Sequence, residues 1–578
     1  MIRAQIRALS SVSKFTAERS RFWICKPCLQ SGRGVPRRGF GASADPKKPY
    51  YVTTPIFYVN ASPHIGHFYT MLLSDILKRW QVLLGNTDAK LLTGTDEHGL
   101  KIQQVAQEHE MEPQKLCDKN CETFKALARE ANISNDHFIR TTDLAHKEAV
   151  RYFWESLEHR GHIYKGKHEG WYSVSDETFY PSSSVQAALD PATGRKIMST
   201  IETGKEVEWS EETNYHFNLS ALQDRLLAHY KNNPDFIRPK KYMDSIVREV
   251  SSGLEDLSIS RPIERLTWGI RVPGDETQTI YVWLDALVNY LTYAGYPFTP
   301  GRENESIWPA DVQVIGKDIS RFHCIYWPAF LMALDLPLPR QILTHAHWTI
   351  NRAKMSKSTG NVVNPMFAMT RFGVDPMRYF LAIKGGLEND ADYENSYVVK
   401  QYKHDLQQGL GNLASRVMRA KLWNVRDSVL AASMGQLPEQ NEHHRGHRYF
   451  LERAPTVVNK HMAELDPRRA LQATIGIIHR TNKYMQLTEP WNTSHSEGEV
   501  NSIIYNVAES LRIAGILLQP FMPEKSGQLL NMLGVTADTK KRDFSAATYG
   551  SDVDYGEPSV PLKKGFEATL FPPLRTED

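Results

Sequence analysis

Residues 50–93 constrain the fold of this 578-residue chain most strongly, because they alternate a strand, a helix and a second strand. Tyr50–Thr54 is a β-branched and aromatic run that predicts a buried strand. Ser62 is a suitable N-cap, and apolar residues then recur at helical spacing as far as Trp80. Lys90–Thr93 predicts the second strand. A unit of this length predicts a parallel sheet with a right-handed crossover.

The rest of the chain divides into parts of different character. Residues 166–270 are irregular and turn-rich, which indicates an insertion. Tyr281–Trp283 and Val312–Ile315 predict further strands, and Ser320–Leu334 predicts a buried helix. Residues 397–535 have apolar residues at spacings of three and four, which is typical of a helical bundle. The predicted fold class is therefore α/β, a parallel sheet with a connective insertion, followed by an all-α part.

Residues 1–44 differ from the rest of the chain in charge. They contain seven Arg and two Lys against one acid, Glu18, so they carry +8. Because the whole chain carries +3, the remainder carries −5. An Arg-rich, Ser-rich, acid-poor start predicts a mitochondrial transit peptide and a location in the mitochondrial matrix. The alternative is a basic tail that binds nucleic acid.

Cysteine usage and hydropathy exclude two other classes of protein. Five cysteines in a long chain do not indicate a disulfide scaffold. Cys25 and Cys28 form a C-x-x-C pair, but no second pair exists to complete a four-thiolate zinc site. No apolar run approaches the ~18 residues that a membrane span needs, so no membrane association is predicted.

His64-Ile65-Gly66-His67 comes directly after the first predicted strand. Two imidazoles on a first helical turn, beside exposed N–H groups and the positive end of the helix dipole, indicate a phosphate site. Each imidazole can donate a hydrogen bond to charge that builds on a phosphate. Gly66 has no Cβ, so a flat ring or a phosphate can approach the backbone there.

Lys354-Met355-Ser356-Lys357-Ser358 is a second motif, about 290 residues later, and Thr359-Gly360-Asn361 after it indicates a loop. Two ammonium groups on a mobile loop can follow the charge of a triphosphate as pyrophosphate leaves. Alone, the motif is also compatible with a solvated basic loop. The two motifs in this order are far more specific than either is by itself.

Together the motifs resemble the signature of the class I aminoacyl-tRNA synthetases, and their context resembles the methionyl enzymes. The supporting stretches are residues 55–67, Gly94–Gly99, Tyr281–Ala286, Gly316–Ile319 with Phe322-His323, Asn412–Arg416 and Pro490-Trp491. The resemblance runs from about residue 50 to about residue 530. It implies a Rossmann-like catalytic fold and an anticodon-binding helical bundle.

The resemblance also implies a role for each matching residue. The residues that would contact ATP are Gly66, Gly316, Asp318, Lys354, Ser356 and Lys357. Asp96 would bind the α-ammonium of methionine, at the carboxyl end of a strand where ligands of such sheets bind. The side-chain pocket would consist of Ile56, Tyr58, Trp283, Tyr290 and His323. Aromatic rings suit a thioether, and Tyr58 or His323 would donate a hydrogen bond to the sulfur.

Three residues of the helical part would read the CAU anticodon of tRNA(Met). Asn412 and Arg416 are four apart and share a helical face, and Trp491 follows Pro490 at a helix end. The resemblance implies that the Asn412 amide and the Arg416 guanidinium pair with base edges and that the Trp491 indole stacks on a base. Unpaired loop bases are read in this way.

The implied reaction has two steps and uses ATP with Mg²⁺. The methionine carboxylate attacks the α-phosphate, and a ribose hydroxyl of the tRNA then attacks the adenylate. The catalytic residues would be His64, His67, Lys354 and Lys357, which act by positioning and charge stabilisation.

One stretch departs from the pattern of many relatives, which hold zinc in a four-cysteine knuckle. Here the matching stretch is Tyr172–Tyr180, and no cysteine occurs between Cys121 and Cys324. A metal-free knuckle, and hence no metal site, is therefore expected. The chain also leaves no room for an appended tRNA-binding domain, so a monomer is expected.

These observations predict seven regions. They are 1–44 transit peptide, 45–165 first half of the catalytic domain, 166–270 insertion, 271–345 second half, 346–396 KMSKS loop and stem-contact region, 397–535 anticodon-binding bundle and 536–578 C-terminal extension.

Three alternatives stay open at this point. A class I synthetase for Leu, Ile, Val or Cys would share the motifs, but the short insertion does not favour the large editing enzymes. A non-catalytic tRNA-binding or splicing factor would not need the intact imidazoles and lysines. A small nucleotidylyltransferase would not explain Asn412, Arg416 and Trp491.

Overall fold

The structure is a computed structural model that describes residues 48–174, 178–180, 182–190, 193–201, 204–355, 362–439, 441–559 and 569–574. The predicted transit segment 1–44 and the motif residues Ser356 and Lys357 lie outside the described residues. Within the described ranges, no helix has the length and apolar content required to cross a membrane.

A parallel sheet forms the centre of the first part of the chain. Its strands are β1 (Tyr51–Thr53), β2 (Phe57–Tyr58), β3 (Lys90–Asp96), β4 (His137–Arg140), β10 (Ile237–Arg238), β15 (Val312–Gly316) and β16 (Gln341–His345). The order is β10-β16-β15-β1-β3-β2, and β4 also pairs with β3. Every pairing is parallel. The predicted strands at residues 50–54, 90–93 and 312–315 are confirmed.

The first helix spans Ile65–Leu83 and packs its apolar side on this sheet. Its N-cap is His64, in an extended conformation, and not Ser62 as the sequence predicted. The reason is that a ring nitrogen of His64 accepts the Gly66 N–H at 3.0 Å, which is the bond that a cap supplies. The chain therefore stays non-helical two residues longer than the serine suggested.

The predicted strand Tyr281–Trp283 is wrong. Strand β14 (Asp275–Ile280) ends before it, Tyr281 is an N-cap, and Val282–Tyr293 is a helix. Nine of the helix's twelve residues are buried. A helix that is buried on almost every side has no amphipathic period, so its start resembles a strand.

The insertion is a six-stranded antiparallel sheet. Its strands are β5 (Ile163–Ser173), β6 (Thr178–Tyr180), β7 (Val185–Leu189), β8 (Lys196–Thr200), β9 (Glu206–Phe217) and β11 (Leu257–Ser258). Between β9 and β11, strand β10 returns to the parallel sheet and pairs with β16. The predicted insertion 166–270 thus contains one strand of the main sheet. The sequence did not predict this strand, because two residues are too few to show a period. The remaining strands are β12 (Ser260–Pro262), β13 (Arg271–Val272), β17 (Trp348–Ile350), β18 (Ala353–Lys354) and β19 (Ala391–Asp392).

Aromatic rings and guanidinium groups hold the paired strands β5 and β6, at the stretch predicted to be a metal-free knuckle. The rings of Tyr172 and Phe179 lie 4.9 Å apart. The Arg265 guanidinium lies 4.0 Å from the Tyr172 ring centre, and that of Arg261 lies 5.0 Å from the Phe179 ring centre. Cation–π contacts of this kind stabilise by about 0.5–2 kcal/mol each.

Helices make up most of the rest of the described chain. In the catalytic part they are Leu100–Glu108, Pro113–Glu130, Leu144–His159, Gln223–Asn232, Lys240–Ser251, Trp327–Ala333, Pro365–Phe372 and Val374–Lys384. A π-helical turn, Phe322–Tyr326, precedes the α-helix Trp327–Ala333. The region predicted as one helix, Ser320–Leu334, therefore has a shorter α-helix than expected, and its first part has the wider turn of a π-helix.

The bundle continues from the catalytic part through one long, irregular helix. It consists of Asn395–Gln401, a π-helical stretch Tyr402–Gly411, and Asn412–Arg419. The other helices are Val425–Ser433, Glu442–Ala463, Pro467–Thr488, Glu497–Leu518, Pro523–Met532 and Thr539–Arg542.

The C-terminal residues pack on the bundle, which the sequence did not predict. Glu509 and Arg512 form a fully buried ion pair at 2.6 Å. The Tyr555 hydroxyl donates to Glu509 at 2.8 Å, and the Gly550 N–H donates to the same carboxylate at 2.6 Å. The tail therefore completes the hydrogen bonding of a buried charge.

A second buried ion pair joins the first helix to the bundle. Arg378 donates to Asp75 on helix Ile65–Leu83 at 2.6 Å. Its other N–H groups donate to backbone carbonyls at Ala131, Pro520 and Phe521. One guanidinium thus ties the helix that begins at the two motif histidines to the loop before helix Pro523–Met532.

Candidate active site

The predicted site residues collect at the carboxyl edge of the parallel sheet. Strand β3 ends at Asp96, strand β15 ends at Gly316, and the first helix begins beyond the end of β1. Ligands of open parallel sheets bind at this edge, between strands whose connections leave in opposite directions.

His64 and His67 form a reciprocal cap at the start of the first helix. The His64 ring accepts the Gly66 N–H, and the His67 ring accepts the His64 N–H, each at Nδ1 and 3.0 Å. A nitrogen that accepts carries no proton, so each neutral ring carries its proton on Nε2. The ring centres lie 3.8 Å apart. The cap therefore selects the tautomer with two neighbouring Nε2–H donors.

The backbone at this helix start differs from the expectation of exposed N–H groups. The Ile65 N–H donates to Val363 O at 3.1 Å, and the His67 N–H donates to His64 O at 3.0 Å. With the Gly66 N–H on the His64 ring, the first turn has its donors engaged. A ligand at this helix start would therefore meet the imidazole rings rather than exposed backbone N–H groups.

Gly66 is required by the cap itself. A Cβ at this position would lie 2.8 Å from a ring carbon of His64. The flat ring that approaches this glycine is thus the capping imidazole of the same chain.

The Val363 contact also places the second motif. Val363 comes just after the KMSKS residues, and its carbonyl accepts from the first helix. Lys354 lies in the short strand β18, which pairs with β17. The Val363 end is thereby held at the helix start, and residues 356–361 lie outside the described ranges.

Gly316 and Asp318 lie together where β15 ends. The Asp318 carboxylate turns back over Gly316, where a Cβ would meet its Oδ1 at 2.7 Å. His347 Nε2 lies 3.1 Å from that oxygen. The carboxylate is about half exposed, so it remains accessible from the edge of the sheet.

Tyr290 and His323 form a hydrogen-bonded pair at the base of the predicted methionine pocket. His323 Nδ1 donates to Ile319 O at 3.1 Å, so Nε2 accepts the Tyr290 hydroxyl proton at 2.7 Å. Burial lowers the pKa of His323 to about 4 and keeps the ring neutral. His323 therefore has no N–H left for a sulfur atom, and the expectation that it donates one is corrected. Tyr58 remains as the donor of the predicted pair.

Of the other predicted pocket residues, Trp283 lies against His323, with ring centres 6.3 Å apart. Trp283 stacks on Phe322 with ring centres 3.7 Å apart and an angle of 7°. Phe322 was not among the predicted site residues, although it stands next to His323 in the sequence. Ile56 is half-buried against the same core. Tyr58 is the register partner of Asp96 in the pairing of β2 with β3.

A buried carboxylate behind the pocket was missed by sequence reasoning. Asp285 is 1% exposed and accepts from His98 Nδ1 at 2.6 Å and from His146 Nε2 at 2.8 Å. Burial alone would raise the pKa of Asp285, but the two histidines lower it to about 2. Asp285 thus joins the loop after Asp96 to the helix that carries Trp283 and Tyr290.

We expect Asp285→Asn to lower the free energy of unfolding by about 3–5 kcal/mol, because an amide N–H would face a buried imidazole N–H. The lowered pKa means that Asp285 stabilises the fold above pH 3.8 and that this contribution is lost as the pH falls towards 2. Urea unfolding at pH 7 and below measures both effects. Asp335→Asn is the control, because Asp335 is 59% exposed. Equal midpoints for Asp285→Asn and wild type would contradict the assignment.

Two of the three predicted anticodon residues line a cavity of about 390 Å³ on the bundle. Its lining includes Arg416 and Trp491, and the guanidinium lies 5.4 Å from the indole ring centre. Asn412 is exposed one turn earlier on the same helix and does not line the cavity. The rest of the lining, which was not among the predicted anticodon residues, consists of Ser415, Arg419, Ala420, Leu422 and Trp423.

A parallel sheet with two capping histidines at its carboxyl edge, followed by a helical bundle with a basic aromatic cavity, defines a class I aminoacyl-tRNA synthetase. Residues 50–418 match the family described as tRNA synthetases class I (M). Residues 441–557 match the anticodon binding domain of methionyl tRNA ligase. The chain therefore belongs to the methionine–tRNA ligase family.

Individual relatives agree with this assignment. A probable mitochondrial methionine–tRNA ligase of Neurospora crassa is 51% identical, over 96% of this chain and 92% of the relative. One of Schizosaccharomyces pombe is 46% identical, over 87% and 93%. The Mycobacterium tuberculosis methionyl-tRNA synthetase in complex with methionyl-adenylate is 38% identical, with a TM-score of 0.81 over 91% of this chain and 100% of the other.

Proposed function

We propose that this chain activates L-methionine with ATP to methionyl-adenylate and pyrophosphate, and then transfers the methionyl group to the 3′ end of tRNA(Met). The observation that carries the proposal is the reciprocal histidine cap, which directs two Nε2–H donors from the start of one helix. The methionyl-adenylate held by the structural relative supports the same chemistry.

In the first step, ATP enters as its Mg²⁺ complex and the methionine carboxylate attacks the α-phosphate in line. The Nε2–H groups of His64 and His67 stabilise the negative charge that develops there. Lys354 and Lys357 of the loop, with Ser356, follow the leaving pyrophosphate. Gly316 and Asp318 hold the adenosine. Catalysis is then positioning and electrostatics, without a side-chain base.

Methionine is held by charge at one end and by aromatic rings at the other. Asp96 pairs with the α-ammonium group. The Trp283–Phe322 stack and Tyr290 line the thioether, which rings contact favourably. Tyr58 donates to the sulfur. His323 acts through Tyr290, whose hydroxyl it fixes.

In the second step, the CAU anticodon binds the bundle while the acceptor end reaches the sheet. Trp491 stacks on an unpaired base, and Arg416 and Asn412 pair with base edges. The Arg378 guanidinium, which pairs with Asp75 and also donates to the carbonyls of Pro520 and Phe521, fixes the position of the first helix relative to the bundle.

Two further properties belong to this proposal. The basic segment 1–44 directs the chain to the mitochondrial matrix, in keeping with the mitochondrial names of the relatives. Strands β5 and β6 pair without zinc, because Arg265 and Arg261 lie on their aromatic rings and supply the cross-link that thiolates supply elsewhere.

The test is amino-acid-dependent exchange of pyrophosphate into ATP, followed by charging of a tRNA transcript with a CAU anticodon. We expect methionine alone, of a panel that includes Leu, Ile, Val and Cys, to support exchange. Methionine should charge the CAU transcript and not one with an altered anticodon. Exchange with another amino acid would identify a different class I enzyme. Absence of exchange with retained tRNA binding would identify a binding protein.

A further inference from the structure

Three ligand-type side chains meet on the bundle, away from both sites described above. His404 Nδ1 lies 2.6 Å from Asp405 Oδ1, and His479 Nε2 lies 3.3 Å from the same oxygen. One ligand atom from each of the three lies within 4.8 Å of the others. Neither adenylate chemistry nor anticodon reading uses these residues.

Two elements of the bundle build this cluster. His404 and Asp405 lie at the start of the π-helical stretch Tyr402–Gly411, and His479 lies on helix Pro467–Thr488. The wide turns of π-helices often accompany functional sites. The imidazole rings lie 5.4 Å apart, one from each helix. Residues 75 positions apart in the chain therefore share one carboxylate oxygen.

The carboxylate is held in place by a second set of bonds. Tyr379 donates to Asp405 Oδ2 at 2.5 Å, and Gln401 donates to the same oxygen. Oδ2 is thus occupied by neutral donors, and Oδ1 faces the two imidazoles. Hydrogen bonds that orient a ligand in this way are typical of metal centres.

The cluster is open to solvent on one side only. The side chain of Asp405 is 5% exposed, whereas those of His404 and His479 are 70% and 42% exposed. In the described part of the chain, the ion pairs of Asp405 are with these two imidazoles and with no lysine or arginine. A cation can therefore enter between the rings and meet one buried negative charge.

The donor set indicates which cation fits. Two imidazoles and one carboxylate suit Zn²⁺ and neighbouring transition metals, whereas Mg²⁺ and Ca²⁺ prefer oxygen alone. Zinc–ligand bonds of about 2.0–2.2 Å in a tetrahedron separate the ligand atoms by about 3.3 Å. His479 already has this spacing from Oδ1, whereas the exposed ring of His404 would move away from Oδ1, and the two imidazole nitrogens, which lie within 4.8 Å of each other, would adjust to the same spacing.

We propose that His404, Asp405 and His479 bind a divalent transition-metal ion such as Zn²⁺ at the surface of the bundle, with the fourth position open to water. Binding replaces the imidazole protons that face Oδ1, so it releases protons and strengthens with rising pH. The ion cross-links helix Pro467–Thr488 to the helix that continues through Asn412 to Arg416. This metal site is separate from strands β5 and β6 and takes no part in the catalytic reaction.

The experiment titrates Zn²⁺ alone into the full chain by calorimetry, in a buffer that does not chelate metals, at pH 7.5. We expect His404→Ala and His479→Ala each to bind one equivalent fewer than wild type. His443→Ala is the matched control, because His443 is an exposed imidazole on the same bundle. All four proteins contain the same cysteines, so a difference in Zn²⁺ stoichiometry between the proteins reports binding at the cluster alone.

Unfolding in the presence of EDTA should show cooperative transitions for all four proteins, with somewhat lower midpoints for His404→Ala and His479→Ala, because each removes a hydrogen-bond donor from the buried Asp405 carboxylate. Binding of Co²⁺ should show the visible absorption of a tetrahedral nitrogen-containing site in wild type and His443→Ala only. Equal stoichiometry in wild type and the two cluster variants would overturn the proposal. A loss in His443→Ala as well, or an equal response to Mg²⁺, would also overturn it.

Discussion

His64→Asn should remove most adenylate formation and leave the stability of the protein almost unchanged. The Nδ1 atom of His64 accepts the Gly66 N–H and caps the helix, whereas Nε2–H points away from that bond. Asparagine is among the best N-cap residues, so its Oδ1 can take over the cap. It has no counterpart of Nε2–H. Loss of one such donor costs about 10²–10³-fold in kcat.

Three comparisons isolate this effect. His64→Ala should lose the cap as well, which costs about 1 kcal/mol of unfolding free energy beyond the same loss of activity. His109→Asn, at an exposed histidine, should change neither property. The measurements are methionine-dependent pyrophosphate exchange and urea unfolding. An exchange rate near wild type for His64→Asn would rule out this imidazole as a phosphate donor, and a stability as low as that of His64→Ala would rule out the cap.

Trp491→Ala should lower kcat/KM for charging of tRNA by about 5- to 150-fold, and leave pyrophosphate exchange unchanged. The factor corresponds to ~1–3 kcal/mol for one stacked base. Trp491 is 41% exposed and lines the cavity with Arg416, so truncation opens no core. Only a step that involves the anticodon should therefore respond.

The control for this variant is Tyr449→Ala, because Tyr449 is an aromatic residue of the same bundle that is 60% exposed. It should preserve both activities. If Trp491→Ala reduced exchange and charging by the same factor, Trp491 would be a structural residue. If it reduced charging of the CAU transcript and of an altered anticodon equally, the indole would not read the anticodon loop.

Much of the catalytic part was predictable because its signals are local. The buried runs at residues 50–54 and 90–93 and the helix between them follow from residue periods and turn chemistry. The two motifs need only their own few residues and their order along the chain. Asp96 and Gly316 end strands β3 and β15 at the carboxyl edge of the sheet, which agrees with the binding roles that the resemblance implies for them.

Other features depend on contacts that no local pattern contains. Ser62 and His64 are both possible caps, and the choice was made by the geometry that brings a histidine ring to the Gly66 N–H. Helix Val282–Tyr293 looked like a strand at its start, because burial on almost every side removes the period. His323 looked like a donor to sulfur until Ile319 O and Tyr290 occupied both of its nitrogens.

Residue types, their periods and the order of two motifs were therefore sufficient for the α/β class and, through the resemblance, for the family, whereas the roles of the site residues stay predictions. The fold alone decided how buried charges are paired. Asp285 accepts hydrogen bonds from histidines that are 187 and 139 residues away in the sequence, and Glu509 accepts one from Tyr555 of the tail. Tertiary folding also brings His479 to Asp405. A buried carboxylate needs several donors at once, and the backbone near it supplies few, so its partners come from distant parts of the chain.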